Sequence, residues 1–182
     1  MERTLGRFVI AVDRLNDRVG RGAAWLTLAM VLIAFLVVVL RYVFSLGWVW
    51  MQESYVWLHG IVFMVGAGYT LLHGGHVRVD IFYRPKGARF KAWVDLGGVL
   101  ALLLPVVIVV MWMSWGYVLA SWSKFEESRE AGGLPALFLL KTVILVFCVL
   151  VALQGLSLAG RSLLILLGHD EFLPSEKDSE GI

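Results

Sequence analysis

Residues 22–40, GAAWLTLAMVLIAFLVVVL, decide the fold, because these 19 residues contain no Asp, Glu, Lys or Arg. A helix of about 20 apolar residues crosses the ~30 Å hydrocarbon core of a bilayer. Three more charge-free stretches follow at residues 54–77, 96–123 and 142–160. Strands of an open sheet would leave backbone groups unpaired in lipid, so helices are favoured. The sequence therefore predicts an all-α membrane protein with four transmembrane helices.

The composition excludes a soluble globular domain. Of the 182 residues, 59% are hydrophobic and 16% are charged, and the mean hydropathy is +0.80, whereas soluble domains have about 25% charged residues. The single cysteine, Cys148, cannot form an intramolecular disulfide or a cysteine metal cage. Six tryptophans lie near the ends of apolar stretches, as is typical of the membrane interface: Trp25, Trp48, Trp50, Trp93, Trp115 and Trp122.

The distribution of Lys and Arg predicts the orientation, since cytoplasmic flanks of membrane helices are enriched in both. Residues 1–21 contain five arginines, and residues 78–91 contain five Lys or Arg. By contrast, the segment between spans one and two has only Arg41. The segment between spans three and four has Lys124 and Arg129, offset by Glu126, Glu127 and Glu130. Both termini are therefore predicted to be cytoplasmic.

The chain divides into three predicted regions. Residues 1–21 have apolar side chains at helical spacing and form a cytoplasmic amphipathic helix at the membrane interface, the alternative being a soluble N-terminal turn. Residues 22–167 form the membrane domain, with spans at about 22–41, 53–73, 90–119 and 135–164. Residues 168–182 form a disordered cytoplasmic tail. Pro105, near the middle of the third span, is expected to kink it.

Few ionisable residues fall within the spans, and those at the edges are the first candidates for a structural role. Arg41, Glu53 and Lys141 all lie near the outer boundary. Only 11 residues separate Arg41 from Glu53, so the two are predicted to pair and to hold the outer hairpin together. Glu126 and Glu127 belong to a more exposed loop, which is either a docking surface for a partner protein or a solvated connector.

Two kinds of polar residue inside the spans need separate interpretation. Gln154 is the main strongly polar residue of span four, and an interhelical hydrogen bond is favoured over substrate contact. His59 and His73 are 14 residues apart on one face of span two, a spacing compatible with two stacked haems. Haem ligation usually also needs histidines on a facing helix, and these are lacking. A small haem-binding or enzymatic membrane protein is therefore the second interpretation and not the first. No catalytic motif or phosphate-binding loop is present.

Several short segments, in order along the chain, resemble one known family. They are Arg41-Tyr42-Val43-Phe44, Gln52-Glu53 and His76-Val77-Arg78-Val79-Asp80, followed by Ser121-Trp122, Glu126, Ser128, Gly132-Gly133-Leu134-Pro135, Lys141 and Leu153-Gln154-Gly155. This order resembles the small permease subunit of tripartite ATP-independent periplasmic (TRAP) transporters, the DctQ-like family. The later segments resemble its mannitol/chloroaromatic-type branch.

The resemblance implies a multi-pass protein of the bacterial inner membrane that is not an enzyme and carries no cofactor. It implies a periplasmic solute-binding protein and a large permease subunit as partners, with sodium and an organic acid handled by the large subunit, which this chain would support as a scaffold. Membrane lipids are expected to surround it, and no nucleic acid partner is expected. The candidate interface or structural residues are Arg41, Glu53, His76, Arg78, Asp80, Glu126, Glu127, Lys141 and Gln154.

Overall fold

A computed structural model describes residues 2–76 and 86–169, and within these ranges the chain is helical and contains no strand. Among the described residues, four helices are long and apolar enough to cross a membrane. They are α1 (Glu2–Val43), α2 (Val49–Leu72), α3 (Ala88–Ser123) and α4 (Leu137–Leu166). The prediction of an all-α chain with four long apolar helices is confirmed. Arg78, Asp80 and the predicted tail from residue 170 onward lie outside the described residues.

Successive helices run in opposite directions, so their connections gather at two ends. The loop end holds residues 44–48 and 124–136, and the arm end holds the first turns of α1 together with residues 73–76, 86–87 and 167–169. The second helix begins four residues before Glu53, which therefore lies in the second helical turn and not at the helix start.

The last helix, α4, is central and packs against the other three. Small residues on α4 permit this close approach: a Cβ at Gly155 would come within 2.6 Å of Leu103 on α3, and one at Gly160 within 3.2 Å of Val9 on α1. The third helix packs closely on α4 and has little contact with α1 or α2. The molecule is therefore an open arrangement around α4, with a groove between α2 and α3.

The N-terminal arm and the first span form one uninterrupted helix. Val9 and Asn16 are buried, at 1% and 0% exposure, and both contact α4. Part of the apolar face that the sequence assigns to the membrane surface is thus covered by protein. The interfacial position of the arm stays a prediction.

The proline of α3 is preceded by a π-helical turn, Val99–Leu103. The N–H of Leu104 donates to the carbonyl of Val99, five residues earlier. Proline has no N–H and its ring clashes with the carbonyl four residues back, here that of Ala101. The wider turn accommodates Pro105 within a helix that continues to Ser123. The structure thus accommodates Pro105 by a π turn, and the kink expected there stays a prediction.

The first two helices approach each other closely at two glycines. A Cβ at Gly20 of α1 would lie 2.2 Å from the ring of Tyr69, and a Cβ at Gly68 of α2 would lie 2.2 Å from Oδ1 of Asn16. Real side chains do not tolerate such distances, so both positions require glycine for this packing.

We predict that Gly68→Ala destabilises the protein by about 1–3 kcal/mol, because the new methyl group forces Asn16 out of its position. Gly66→Ala is the matched control, since a Cβ there meets nothing within 4 Å. The free energy of unfolding, measured by SDS titration in mixed micelles, should fall for Gly68→Ala only. Equal stability of the two variants would contradict the close packing of α1 on α2.

Candidate functional site

Two clusters of hydrogen-bonded groups lie at opposite ends of the molecule. The arm cluster consists of Asp13, Asn16, Gln154, Ser157 and Arg161. The loop cluster consists of Glu53, Glu126, Ser128, Leu134 and Lys141. Of the residues singled out in the sequence, Gln154 belongs to the first cluster and Glu53, Glu126 and Lys141 to the second.

The centre of the arm cluster is the carboxylate of Asp13 on α1. Its Oδ1 accepts hydrogen bonds from Nε2 of Gln154 at 2.9 Å and from Oγ of Ser157 at 2.7 Å. Its Oδ2 accepts from Nη2 of Arg161 at 2.5 Å. One face of α4 thus supplies three donors to a side chain that is 18% exposed. A buried carboxylate without such donors would be costly in a low-dielectric environment.

These bonds also determine how the two amide side chains are oriented. Because Nε2 of Gln154 must face the carboxylate of Asp13, its Oε1 faces Asn16 and accepts from Nδ2 of Asn16 at 2.8 Å. The Oδ1 atom of Asn16 then points toward Gly68 and has no hydrogen-bond partner among the described residues. Asn16 is therefore held between α2 and α4, and it links all three helices.

Sequence reasoning missed Asp13 and Asn16, because it assigned both to a surface arm outside the bundle. A signal was present: Val9, Val12, Asp13 and Asn16 follow the i, i+3, i+4, i+7 spacing of one helical face. On α4, Gln154, Ser157 and Arg161 follow the matching i, i+3, i+7 spacing. Two helical faces with polar residues in register indicate a contact, although their partners could not be assigned from the sequence.

The predicted pair of Arg41 and Glu53 is wrong. Glu53 Oε2 accepts the backbone N–H of Leu134 at 2.6 Å, and Oε1 accepts the hydroxyl of Ser128. Arg41 is exposed and makes no ion pair with Glu53. The connection from α3 to α4 closes on itself beside Glu53, with the N–H of Ser128 donating to the carbonyl of Leu134 at 3.0 Å. Glu53 thus joins α2 to the longer loop instead of joining the two ends of its own hairpin.

An ion pair at the loop end joins Glu126 to Lys141. The Lys141 ammonium also lies 4.0 Å from the ring centroid of Tyr117. The hydrogen bond from Lys141 holds the pKa of Glu126 below the ordinary value of 4.5. The stabilisation of the folded protein by this pair is therefore present above pH 4.5 and is lost as the pH falls through the lowered pKa. Of the two acidic residues singled out in this loop, Glu126 therefore has a partner within the chain, whereas Glu127 is exposed.

The histidines do not converge on one site. His59 is exposed on α2. His73 stacks on Tyr69 with 4.1 Å between ring centroids, and its Nδ1 lies 3.1 Å from the carbonyl of Tyr69. Since a carbonyl only accepts, Nδ1 carries the proton in this contact. His76 is exposed at the arm end. Among residues 2–76 and 86–169, no three His, Cys, Asp or Glu side chains are grouped to hold a metal ion.

We predict that Glu53→Ala loosens the connection between α3 and α4, because two donors lose their carboxylate. A hydrogen bond to a charged group contributes about 1.5–3 kcal/mol, so exchange of the Leu134 amide hydrogen should accelerate about tenfold or more. Glu127→Ala is the control, since it removes an exposed carboxylate from the same loop. Unchanged protection of Leu134 in Glu53→Ala, measured by hydrogen–deuterium exchange, would refute the role of Glu53.

Comparison with known protein families identifies a match. Residues 30–164 match the family described as "Tripartite ATP-independent periplasmic transporters, DctQ component". No curated protein and no solved structure matches the chain. The matched range begins within α1, includes α2 and α3 and ends near the end of α4.

The match covers most of the chain, and the four apolar helices agree with it. The DctQ family is a family of transporter components and not of enzymes. Its members work with a large permease subunit and a periplasmic binding protein. This chain is therefore a multi-pass membrane protein that belongs to the DctQ family, the small component of TRAP transporters.

Proposed function

We propose that this chain is the small membrane subunit of a sodium-coupled, binding-protein-dependent secondary transporter that imports an organic acid. It belongs to the mannitol/chloroaromatic-type branch and resides in a bacterial inner membrane. Its role is to brace the large permease subunit, which contains the transport pathway. The observation that carries this proposal is that the polar groups of the arm cluster bond to one another within the chain.

Internal bonding of the polar groups supports a scaffold role, because a solute or ion pathway needs polar groups directed into a shared cavity. The outer surfaces of α1 and α3 are instead strongly apolar. Phe35 is 67% exposed, and Trp112 and Met113 are 82% and 75% exposed. Large exposed apolar surfaces on membrane helices face lipid or the helices of another subunit.

The charges of the two ends support an orientation with the arm end in the cytoplasm. Arg3, Arg7, Arg14, Arg18, Arg21, Lys86, Arg89, Lys91 and Arg161 lie at or near the arm end. The loop end has Arg41, Lys124 and Arg129, while its Lys141 is paired with Glu126. The positive-inside rule then directs the loop end to the periplasm. There the exposed Glu127 and Glu130 are available to the solute-binding protein.

The orientation can be tested with cysteine labelling in intact cells. We predict that a membrane-impermeant maleimide labels Gly47→Cys and does not label Gly87→Cys. Both glycines are exposed and have open space at Cβ, so neither substitution disturbs packing. Background labelling should be low, because the native Cys148 is fully buried. The reverse labelling pattern would overturn the proposed orientation.

The scaffold role can be tested by Gln154→Leu in cells that co-express the large permease subunit and the binding protein. This substitution removes the amide that joins Asp13 to Asn16, at a cost of about 1–3 kcal/mol for the polar groups left unpaired. We expect less large subunit recovered by affinity purification through this chain. Sodium dependence of uptake per recovered complex should be unchanged.

Gln52→Leu is the matched control, since Gln52 is a glutamine near the loop end with no part in either cluster. It should leave both recovery and uptake as in the wild type. Altered sodium dependence in Gln154→Leu with normal recovery of the complex would contradict the scaffold role. Failure of this chain to recover a large subunit at all would contradict the proposed function itself.

A further inference from the structure

The groove between α2 and α3 exists because α3 packs on α4 and has little contact with α2. The groove has a volume of about 830 Å³, within the ~300–1,000 Å³ typical of ligand sites. Its walls are almost wholly apolar and include Ala67, Leu71, Leu102, Val106, Phe147 and Leu158. It is separate from both polar clusters.

The groove extends through only part of the apolar zone. Its lining extends from the arm end to Ala67 on α2, Val107 on α3 and Phe147 on α4. Ala67 and Val107 lie near the middle of the charge-free stretches of α2 and α3, residues 54–77 and 96–123, and Phe147 lies five residues after the start of the stretch 142–160. On α4 the lining covers Phe147 to Leu158, which is about 16 Å at 1.5 Å per residue. This length corresponds to one leaflet of a ~30 Å hydrocarbon core.

The polar residues of the groove lie toward the arm end. His76 and Phe90 line this mouth, and the Lys86 ammonium lies 5.6 Å from the ring centroid of Phe90. Asp95 also lines the groove, nine residues after Lys86 in the sequence, and is engaged in an interaction of its own. One cation, Lys86, thus lies beside the mouth of an apolar cleft, and this arrangement is complementary to an amphiphile with an anionic head.

We propose that this groove holds one phospholipid of the leaflet at the arm end, with its acyl chains between α2 and α3 and its phosphate at Lys86. A helix of another subunit fits less well, because a spanning helix needs the full thickness of the bilayer, whereas the groove ends near the middle of the charge-free stretches of α2 and α3. The lipid would cover the apolar faces of α2 and α3 that line the groove. This inference rests on the proposed membrane insertion and orientation.

The acyl-chain part of the site can be tested with variants that fill the groove. Gly98 lines the groove and a Cβ there meets nothing within 4 Å, so Gly98→Leu adds bulk without a clash. Gly97 is equally open but does not line the groove, which makes Gly97→Leu the matched control. Val106→Phe is a second filling variant at a residue that is 60% exposed.

The readout is native mass spectrometry of this chain purified with its large subunit and supplied with phosphatidylglycerol or phosphatidylethanolamine. Gly98→Leu and Val106→Phe should each reduce the retained lipid about tenfold, because bulk in an occupied site forces displacement. Gly97→Leu should retain lipid as the wild type does. Lys86→Gln should lower the preference for phosphatidylglycerol about fivefold, and Lys124→Gln at the opposite end should not.

Wild-type lipid retention in both filling variants would overturn the proposal. Loss of the large subunit from both variants, with lipid retention unchanged, would instead identify the groove as a subunit contact. If the chain retains lipid in the groove but recovers no large subunit, the proposed function fails and the lipid site stands. If the complex forms and transports but retains no lipid, only the lipid site fails.

Discussion

Apolar side chains gain little when they leave lipid for the surface of another helix, because both environments are hydrocarbon-like. The arrangement of helices in this protein must therefore depend on polar bonds and on close backbone contact. Asp13 supplies the strongest such constraint, since its carboxylate requires donors and α4 presents three of them on one face. Satisfying this carboxylate determines which face of α4 turns toward α1 and at what depth the two helices meet.

The remaining contacts of α4 follow from that orientation. Once Gln154 and Ser157 face α1, Gly155 is left for the approach of Leu103 on α3. Asn16 extends the same bonded set to α2, where Gly68 leaves room for it. Hydrogen bonds between membrane helices contribute on average about 0.6 kcal/mol each and at most about 2. A bonded set of four is therefore a substantial part of a total stability of about 5–15 kcal/mol.

At the loop end, the helices are joined by contacts of charged side chains with the connection between α3 and α4. Glu53 binds the connection between α3 and α4 through Ser128 and Leu134, while Lys141 binds Glu126 of the same connection. Thus α3, which has little side contact with α2, is still tied to it through the loop. This combination leaves a groove between the two helices on the arm-end side of the loop contacts. It also leaves the outer faces of α1 and α3 available to lipid and to the large subunit of the transporter.

The sequence by itself determined the helical class, the four apolar helices and the family, because hydropathy, length and short ordered segments are properties of local sequence. Only the tertiary structure decided which polar residues meet. Glu53 lies 12 positions from Arg41, yet its partners are 75 and 81 positions away, and Asp13 binds residues more than 140 positions away. Such pairs depend on the rotation of each helix about its axis. In lipid that rotation is set by the polar contacts themselves, so it could not be derived from the apolar pattern.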